Sequence, residues 1–315
     1  RALAEQSRYD LEKAAADARN QASKAYFGVL AAEEGQRLVG EGIPLLEKSL
    51  TEVNAMLEAG FMEATDVDRI TIQLEQAKSQ QRSFRQQGDV ARMLLALALG
   101  IPQGTPVVLT DDLPKILNDA NEIALSEQPF DPARHVEVRY ADNLLLLQDL
   151  NRKNERAKAM PSLAGFLSHQ RVWNGPDFDP GGAYPFYPTT LWGIKLSVPI
   201  FSSGNRYHKV KQAELALQQT EVNKVATEQR LKAVSEQDRT QVRTAFDNLR
   251  TEERTMALAK NILDRTTAKF TIGSAASFEL TQEQGHYLTA QQAYVQRLVE
   301  LLVARADLRK ALDMY

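Results

Sequence analysis

The alternation of apolar and polar positions is sharpest between Leu191 and Phe201. Trp192, Ile194, Leu196 and Val198 interleave with Gly193, Lys195 and Ser197, which predicts a strand with an apolar row on one face and small or polar groups on the other. A water-soluble sheet and a membrane barrel both use that pattern. The next segment has a different period: the 68 residues from Asn205 to Ile272 contain no Gly or Pro. As one helix they are roughly 100 Å long at 1.5 Å per residue. A short strand feeding a very long helix is therefore the architecture to explain.

Upstream, Leu11, Ala15, Ala18, Ala22, Ala25, Val29 and Ala32 alternate spacings of four and three, a heptad seam. Alanine in such a seam lets helices approach closely, and an ordinary intramolecular hairpin would account for it. Pro44, after Gly40 and Gly42, predicts a kink or a change of curvature. The first helix should end near Gly60. Thr65-Asp66 then supply an N-cap for a second helix that runs to Leu99 and stops at Gly100, with Pro102 beyond.

Pro102, Pro106, Pro114 and Pro129 break the pattern after that, leaving a connector with a short helix near 116–125. Asp131-Pro132 reads as an N-cap followed by Pro at the first helical position, opening a helix to about Ala159. Met160-Pro161 ends it, and 162–170 reads as a strand carrying Leu163, Phe166 and Leu167, whose faces the pattern does not assign. The loop 173–190, with Trp173, Tyr184, Phe186 and Tyr187, is too long for a tight hairpin turn. It suits an external loop of a membrane barrel or a binding loop of a soluble protein. After Gly273 to Ser277 a last helix spans about 278–312, its seam Tyr294, Leu298, Leu301, Leu308 and Leu312 interrupted by Arg305.

The two hairpins are copies. Gly60 and Gly273 are 213 residues apart, as are Ala91-Arg92 and Ala304-Arg305, Leu95 and Leu308, and Leu99 and Leu312. A constant offset without a gap over about forty residues is the mark of an internal repeat. Upstream the offset becomes 219, pairing Phe27 with Phe246 and Leu30 with Leu249. The duplicated unit of strand hairpin, long helix, tip and return helix predicts a strand pair ahead of residue 1, so the chain reads as an N-terminally incomplete repeat. Arg1 opens in mid-helix sequence with neither an initiator Met nor a leader-like stretch.

Composition narrows the function. Charged residues make up 25% of the 315 and aromatics 7%, with a mean hydropathy of −0.38, as long helices with wet faces require. A net charge of −3 without basic clusters gives no nucleic-acid signal. The longest apolar run, Met93 to Leu99, is too short to cross a bilayer as a helix, so strands would have to do it. No cysteine is present, which excludes disulfides and thiolate metal sites. His135, His169, His208 and His286 are scattered without metal-ligand spacing, and neither a nucleophile elbow nor a phosphate loop occurs. No metal, cofactor or catalytic residue is expected.

In this order the motifs resemble the outer-membrane efflux protein family, the TolC-like exit ducts. They are Ala25-Tyr26-Phe27, the tip Gly60 to Val67, the second tip Gly273 to Leu280, Met160-Pro161-Ser162-Leu163, Leu196 to Gly204, and Ala304 to Leu308. The resemblance implies a mainly helical fold: long antiparallel helical hairpins that form part of an α-barrel, plus a β-hairpin of a transmembrane β-barrel. It implies a homotrimer in the outer membrane with a periplasmic extension, working with a periplasmic adaptor and an inner-membrane pump, and doing no bond-making chemistry itself. The expected layout is 1–100 as the first helical hairpin, 101–131 as an equatorial connector and 132–159 as a helix of the second repeat. The membrane hairpin is 160–201 with its loop 173–190, and 202–315 the second helical hairpin.

On this reading Trp192, Ile194, Leu196 and Val198 face lipid, Gly193, Lys195 and Ser197 face the channel, and Pro199 ends the strand. The resemblance places the gate and the adaptor contact at the tips, with Gly60, Thr65, Asp66 and Val67 on the first and Gly273, Glu279, Leu280 and Gln282 on the second. Glu279 stands at one acidic gate position and neutral Gln282 at the other. Asp66 stands where family members latch the closed tips to a Tyr and an Arg, but Phe270 and Ala275 occupy those places, so the latch is expected to be absent or differently built. Plain helix capping by Asp66 and Glu279 is compatible with these roles. The competing reading, a periplasmic coiled-coil adaptor or scaffold, explains the heptads but not the strand or the aromatic loop. A hydrolase built on that loop lacks a nucleophile and a base.

Overall fold

The computed structural model describes residues 2–102, 104–111, 113–117, 125, 127–172 and 187–314. In chain order its elements are α1 (Ala2–Glu58), α2 (Ala64–Leu99), α3 (Leu113–Ile116), α4 (Val136–Ala157), β1 (Ser162–Val172), β2 (Tyr187–Ser197), α5 (Asn205–Thr271) and α6 (Ser277–Ala311). The chain is mainly helical with one small sheet, as the two periodicities dictate. The loop segment 173–186 and residues 118–124 of the expected short helix lie outside the described residues. Just before the latter, α3 occupies only Leu113–Ile116.

Helix α1 carries Pro44 inside it and ends at Glu58, just before the expected Gly60. Three boundaries differ from the sequence reading. The N-cap of α2 is Glu63 rather than Thr65-Asp66; Asp66 sits at the third helical position, where its Oδ2 accepts the Glu63 N–H at 3.2 Å. Asp131 does not cap α4, because its Oδ1 accepts the Ala133 N–H at 3.0 Å and closes a turn of its own. Helix α4 therefore starts later, at Val136. Finally, β2 begins at Tyr187, inside the stretch expected as loop, and ends at Ser197, so Val198 lies beyond the strand.

The larger of two compact units comprises Ser7–Arg139 and Thr227–Tyr315. In it α1 and α2 run antiparallel, tied by Glu33 to Arg92 at 2.6 Å and by Glu47 to Lys78 at 3.0 Å. Close approach needs glycine here: a Cβ on Gly35 would stand 2.8 Å from the Phe84 ring. The innermost element is α6. Its Leu298, Leu301, Leu302 and Leu308 are wholly buried with Phe27, Leu30, Val242 and Leu249, each such leucine contributing about 1.5 to 3 kcal/mol. Arg305, the interruption in the seam, is buried too, and its guanidinium donates to the Ile116 carbonyl at 2.8 Å. Gln291 donates to the Leu38 carbonyl at 2.9 Å and Lys310 pairs with Asp17 at 2.7 Å, so α6 runs antiparallel to α1.

The helix ends repeat what the sequence repeats. Gly60 and Gly273 have φ of 79° and 74°. The N–H groups of Gly60 and Phe61 bond to Leu57 and Met56, and those of Gly273 and Ser274 bond to Phe270 and Lys269, one left-handed helix stop made twice at the same offset. The far ends match as well. Gly100 and Ile101 close onto Leu97 and Ala96, while Asp313 and Met314 close onto Lys310 and Arg309. Here the second copy holds a non-glycine residue at φ 53°. Asp313 serves a second purpose: its Oδ2 accepts the Val136 N–H at 3.2 Å, capping α4 from a distance. His135 accepts the next free amide, Glu137 N–H, through Nδ1 at 3.2 Å. Burial pushes the His135 pKa down despite Asp313 and Glu137, which keeps the imidazole neutral and able to accept.

The smaller unit, Arg1–Gln6 with Tyr140–Ala226, holds the antiparallel pair β1 and β2. Its register sets Leu163 opposite Leu196, Gly165 opposite Ile194 and Leu167 opposite Trp192. Helix α4 is joined to α5 by Arg156 to Glu214 at 2.7 Å and Asp142 to Lys224 at 2.5 Å.

Candidate functional site

Two places carry the expected site residues. At the tips a small core forms from Val53, Ile70, Leu263, Phe270 and Leu280, with Val67, Met56, Met62 and Ala275 packed around it. Leu280 is only 1% exposed, so it supports the tip from beneath and offers no surface to a partner. Val67 is half-buried beside it, whereas Thr65 is exposed and donates to Glu63 Oε2 at 3.3 Å. Gly60 and Gly273 make the two turns. Phe270 is core.

The two tips meet through other residues. The Ser277 hydroxyl at the start of α6 donates to Asp66 Oδ1, and the same carboxylate receives the Glu63 amide and lies 3.4 Å from Arg69. Arg69 in turn stacks over the Phe278 ring at 5.4 Å from its centre. The sequence alone gives no role to Ser277, Arg69 or Phe278, because helical spacing cannot show which residue of one tip meets which of the other. A serine at the first position of a helix, opposite a known Asp, was the available signal. Glu279 and Gln282 are both exposed. Gln282 lines a polar groove with Gln73, Gln76 and Gln80 of α2. The tip surface also exposes Phe61, Ile272 and Phe278.

The second place is the strand pair. Trp192 and Ile194 are 76% and 73% exposed, and Leu196, Leu163 and Leu167 on the same face are exposed as well. The opposite face carries Gly193, Lys195 and Ser197 beside Phe166, Ala164 and Ser162. Phe166 lies over Gly193, where a Cβ would stand 2.9 Å from its ring. The register thus assigns the faces of β1 that alternation alone left open. Among the described residues both outer edges of the pair are unpaired, and no helix is long and apolar enough to cross a membrane.

An exposed apolar row on an unclosed hairpin, joined to duplicated long helices, is the anatomy of a channel protomer. The family model for outer membrane efflux proteins matches residues 148–313, and the chain belongs to that family, whose members are outer-membrane channel proteins. Among solved structures it resembles the transmembrane channel CusC, at 16% identity and a TM-score of 0.79 over 98% of this chain and 70% of that one. It is similar also to the open state of the Neisseria gonorrhoeae outer membrane channel MtrE, at 19% identity and TM-score 0.77 over 98% and 68%. The Vibrio cholerae outer membrane protein VceC aligns at 14% identity and TM-score 0.72 over 99% and 75%. No curated protein sequence matches.

Proposed function

We propose that three copies of this chain form a passive exit duct through the outer membrane, receiving substrates from an inner-membrane pump through a periplasmic adaptor. The observation that carries the proposal is the β1–β2 pair. Its apolar face is bare and, among the described residues, both its edges are open, a state lipid does not tolerate until strands from other segments and chains close a barrel. Trp192, Ile194 and Leu196 then face lipid, with Leu163 and Leu167 beside them, while Gly193, Lys195 and Ser197 face the lumen. Val198 belongs to the exit from the membrane.

The tips form the periplasmic entrance. Glu279 gives each subunit one acidic group there and Gln282 a neutral one. Asp66, Ser277, Arg69 and Phe278 bind the two tips of one chain together, and Phe61, Ile272 and Phe278 are the apolar groups an adaptor hairpin can cover. Residues 101–131 serve as the equatorial connector. The duct moves substrates without making or breaking bonds and needs no cofactor.

Full-length protein in planar bilayers tests this directly. Stepwise conductance from a species that sediments in detergent as a trimer is expected. A monomer that stays soluble without detergent and forms no pores would overturn the duct and favour a periplasmic scaffold.

A further inference from the structure

The end of the hairpin that meets the helices carries a charge imbalance that the duct itself does not require. The last turns of α4 and the turn after it, residues 149–160, supply Arg152, Lys153, Arg156 and Lys158; the start of α5 with its approach, 199–214, supplies Arg206, Lys209 and Lys211. Against these seven cations stand only Asp149, Glu155 and Glu214. Two of the carboxylates are shared. Asp149 takes both Arg152 and Lys153, and Glu214 takes both Arg156, at 2.7 Å, and Lys211, at 3.5 Å. Lys158 has Glu155 at 2.5 Å.

Arg206 reaches only the Pro199 carbonyl at 3.2 Å, and Lys209 meets no carboxylate among the described residues. Hydrogen bonds from Lys153 hold Asp149 below the usual carboxylate range, and those from Arg156 do the same for Glu214, as a local surplus of positive charge dictates.

Apolar groups stand at the same level. Ile200 and Phe201 are 93% and 85% exposed, and Met160, Val198 and Tyr207 are exposed with them. Val198, Ile200 and Phe201 follow directly on the apolar row of β2, Met160 stands just before β1, and Tyr207 is in the first turn of α5. Lys209 lies four residues into α5, about 6 Å along its axis from the first residue. Bare aliphatic and aromatic groups next to cations whose carboxylates are outnumbered are what the boundary between acyl chains and headgroups selects.

We infer that this collar, Lys158 and Arg206 to Lys211 with Ile200, Phe201 and Tyr207, binds the headgroups of anionic phospholipids in the periplasmic leaflet. The inference rests on the membrane reading of the hairpin and adds the lipid class to it. Phosphate oxygens accept from Arg206 and Lys209, while the exposed rings and Ile200 sit among the upper acyl carbons. Each basic side chain near an anionic surface raises partition roughly fivefold.

The test reconstitutes the full-length protein in vesicles of equal parts phosphatidylethanolamine and phosphatidylglycerol with matched acyl chains, then counts the lipids retained by the released trimer in native mass spectrometry. Wild-type protein is expected to retain phosphatidylglycerol in several-fold excess. The double variant Arg206→Gln with Lys209→Gln should lose most of that excess, while Arg206→Lys with Lys209→Arg keeps it, which separates charge from folding. Equal retention of the two lipids by inserted wild-type protein, or an excess undiminished in the Gln variant, overturns the collar and leaves the duct standing. A wild-type protein that does not float with vesicles of any composition overturns both.

Discussion

At the scale of single residues, the tips hold an exposed carboxylate, Glu279, and one engaged in local structure, Asp66. Asp66 is committed: it takes the Ser277 hydroxyl, the Glu63 amide and Arg69. Glu279, three residues into α6, is exposed. It complements the helix N-terminus at about 0.5 kcal/mol, and three copies would set a ring of negative charge at the entrance. Replacing Glu279 with Ala in the trimer should therefore weaken the block of conductance by multivalent cations, while Gln282→Ala leaves it unchanged. Planar-bilayer titration with a trivalent cation measures both, and equal block in all three proteins would remove Glu279 from the gate. The sequence was sufficient to set Glu279 and Gln282 in the first turns of α6, because a turn glycine and a helix start fix that boundary. It was not sufficient to find the Asp66–Ser277 contact, which joins residues 211 apart.

At the scale of elements, the repeat was readable because helix stops are chemical events with fixed requirements. Gly60, Gly273 and Gly100 all adopt left-handed φ, and a Cβ there is costly. Asp313 is the exception that the spacing of leucines could not reveal. It accepts a left-handed φ because its carboxylate gains the Val136 amide, and that same bond lets α4 start after an Asp131 turn that had looked like its cap. Asp313→Ala should lose both the local tolerance and the cap, costing roughly 2 kcal/mol, while Asp313→Asn keeps most of each. Faster hydrogen exchange at Val136 and Glu137 in the Ala variant alone would bear this out; equal protection in both would contradict it. The boundaries of β2 were missed for a related reason. Tyr187, Pro188, Thr189 and Thr190 continue the register with β1, but Pro188, which has no N–H to donate, and the aromatic neighbours make them read as loop.

For the molecule as a whole, the heptad seam read in α1 is only partly used within the chain. Val29 and Ala32 are buried, yet Leu11 is 71% exposed and Ala18 is exposed, so an intramolecular hairpin alone does not account for the seam. The apolar strand row is bare in the same sense, and both are surfaces that the proposed trimer and bilayer would cover. Ile194→Lys, on that row, should destabilise the inserted protein by about 2 to 4 kcal/mol if it lies near the bilayer midplane, whereas Ser197→Lys on the other face should be nearly neutral. Urea titration of vesicle-inserted trimers distinguishes them, and equal midpoints would mean that the row does not meet lipid.

The double engagement of Asp66 bears on how such a duct opens. With one carboxylate holding the starts of α2 and α6, the two tips of a chain cannot swing apart without breaking that part-buried contact. In the proposed trimer the entrance would then have three leaves, not six, each turning as a pair of hairpins. Partial openings of such an aperture would be counted in thirds.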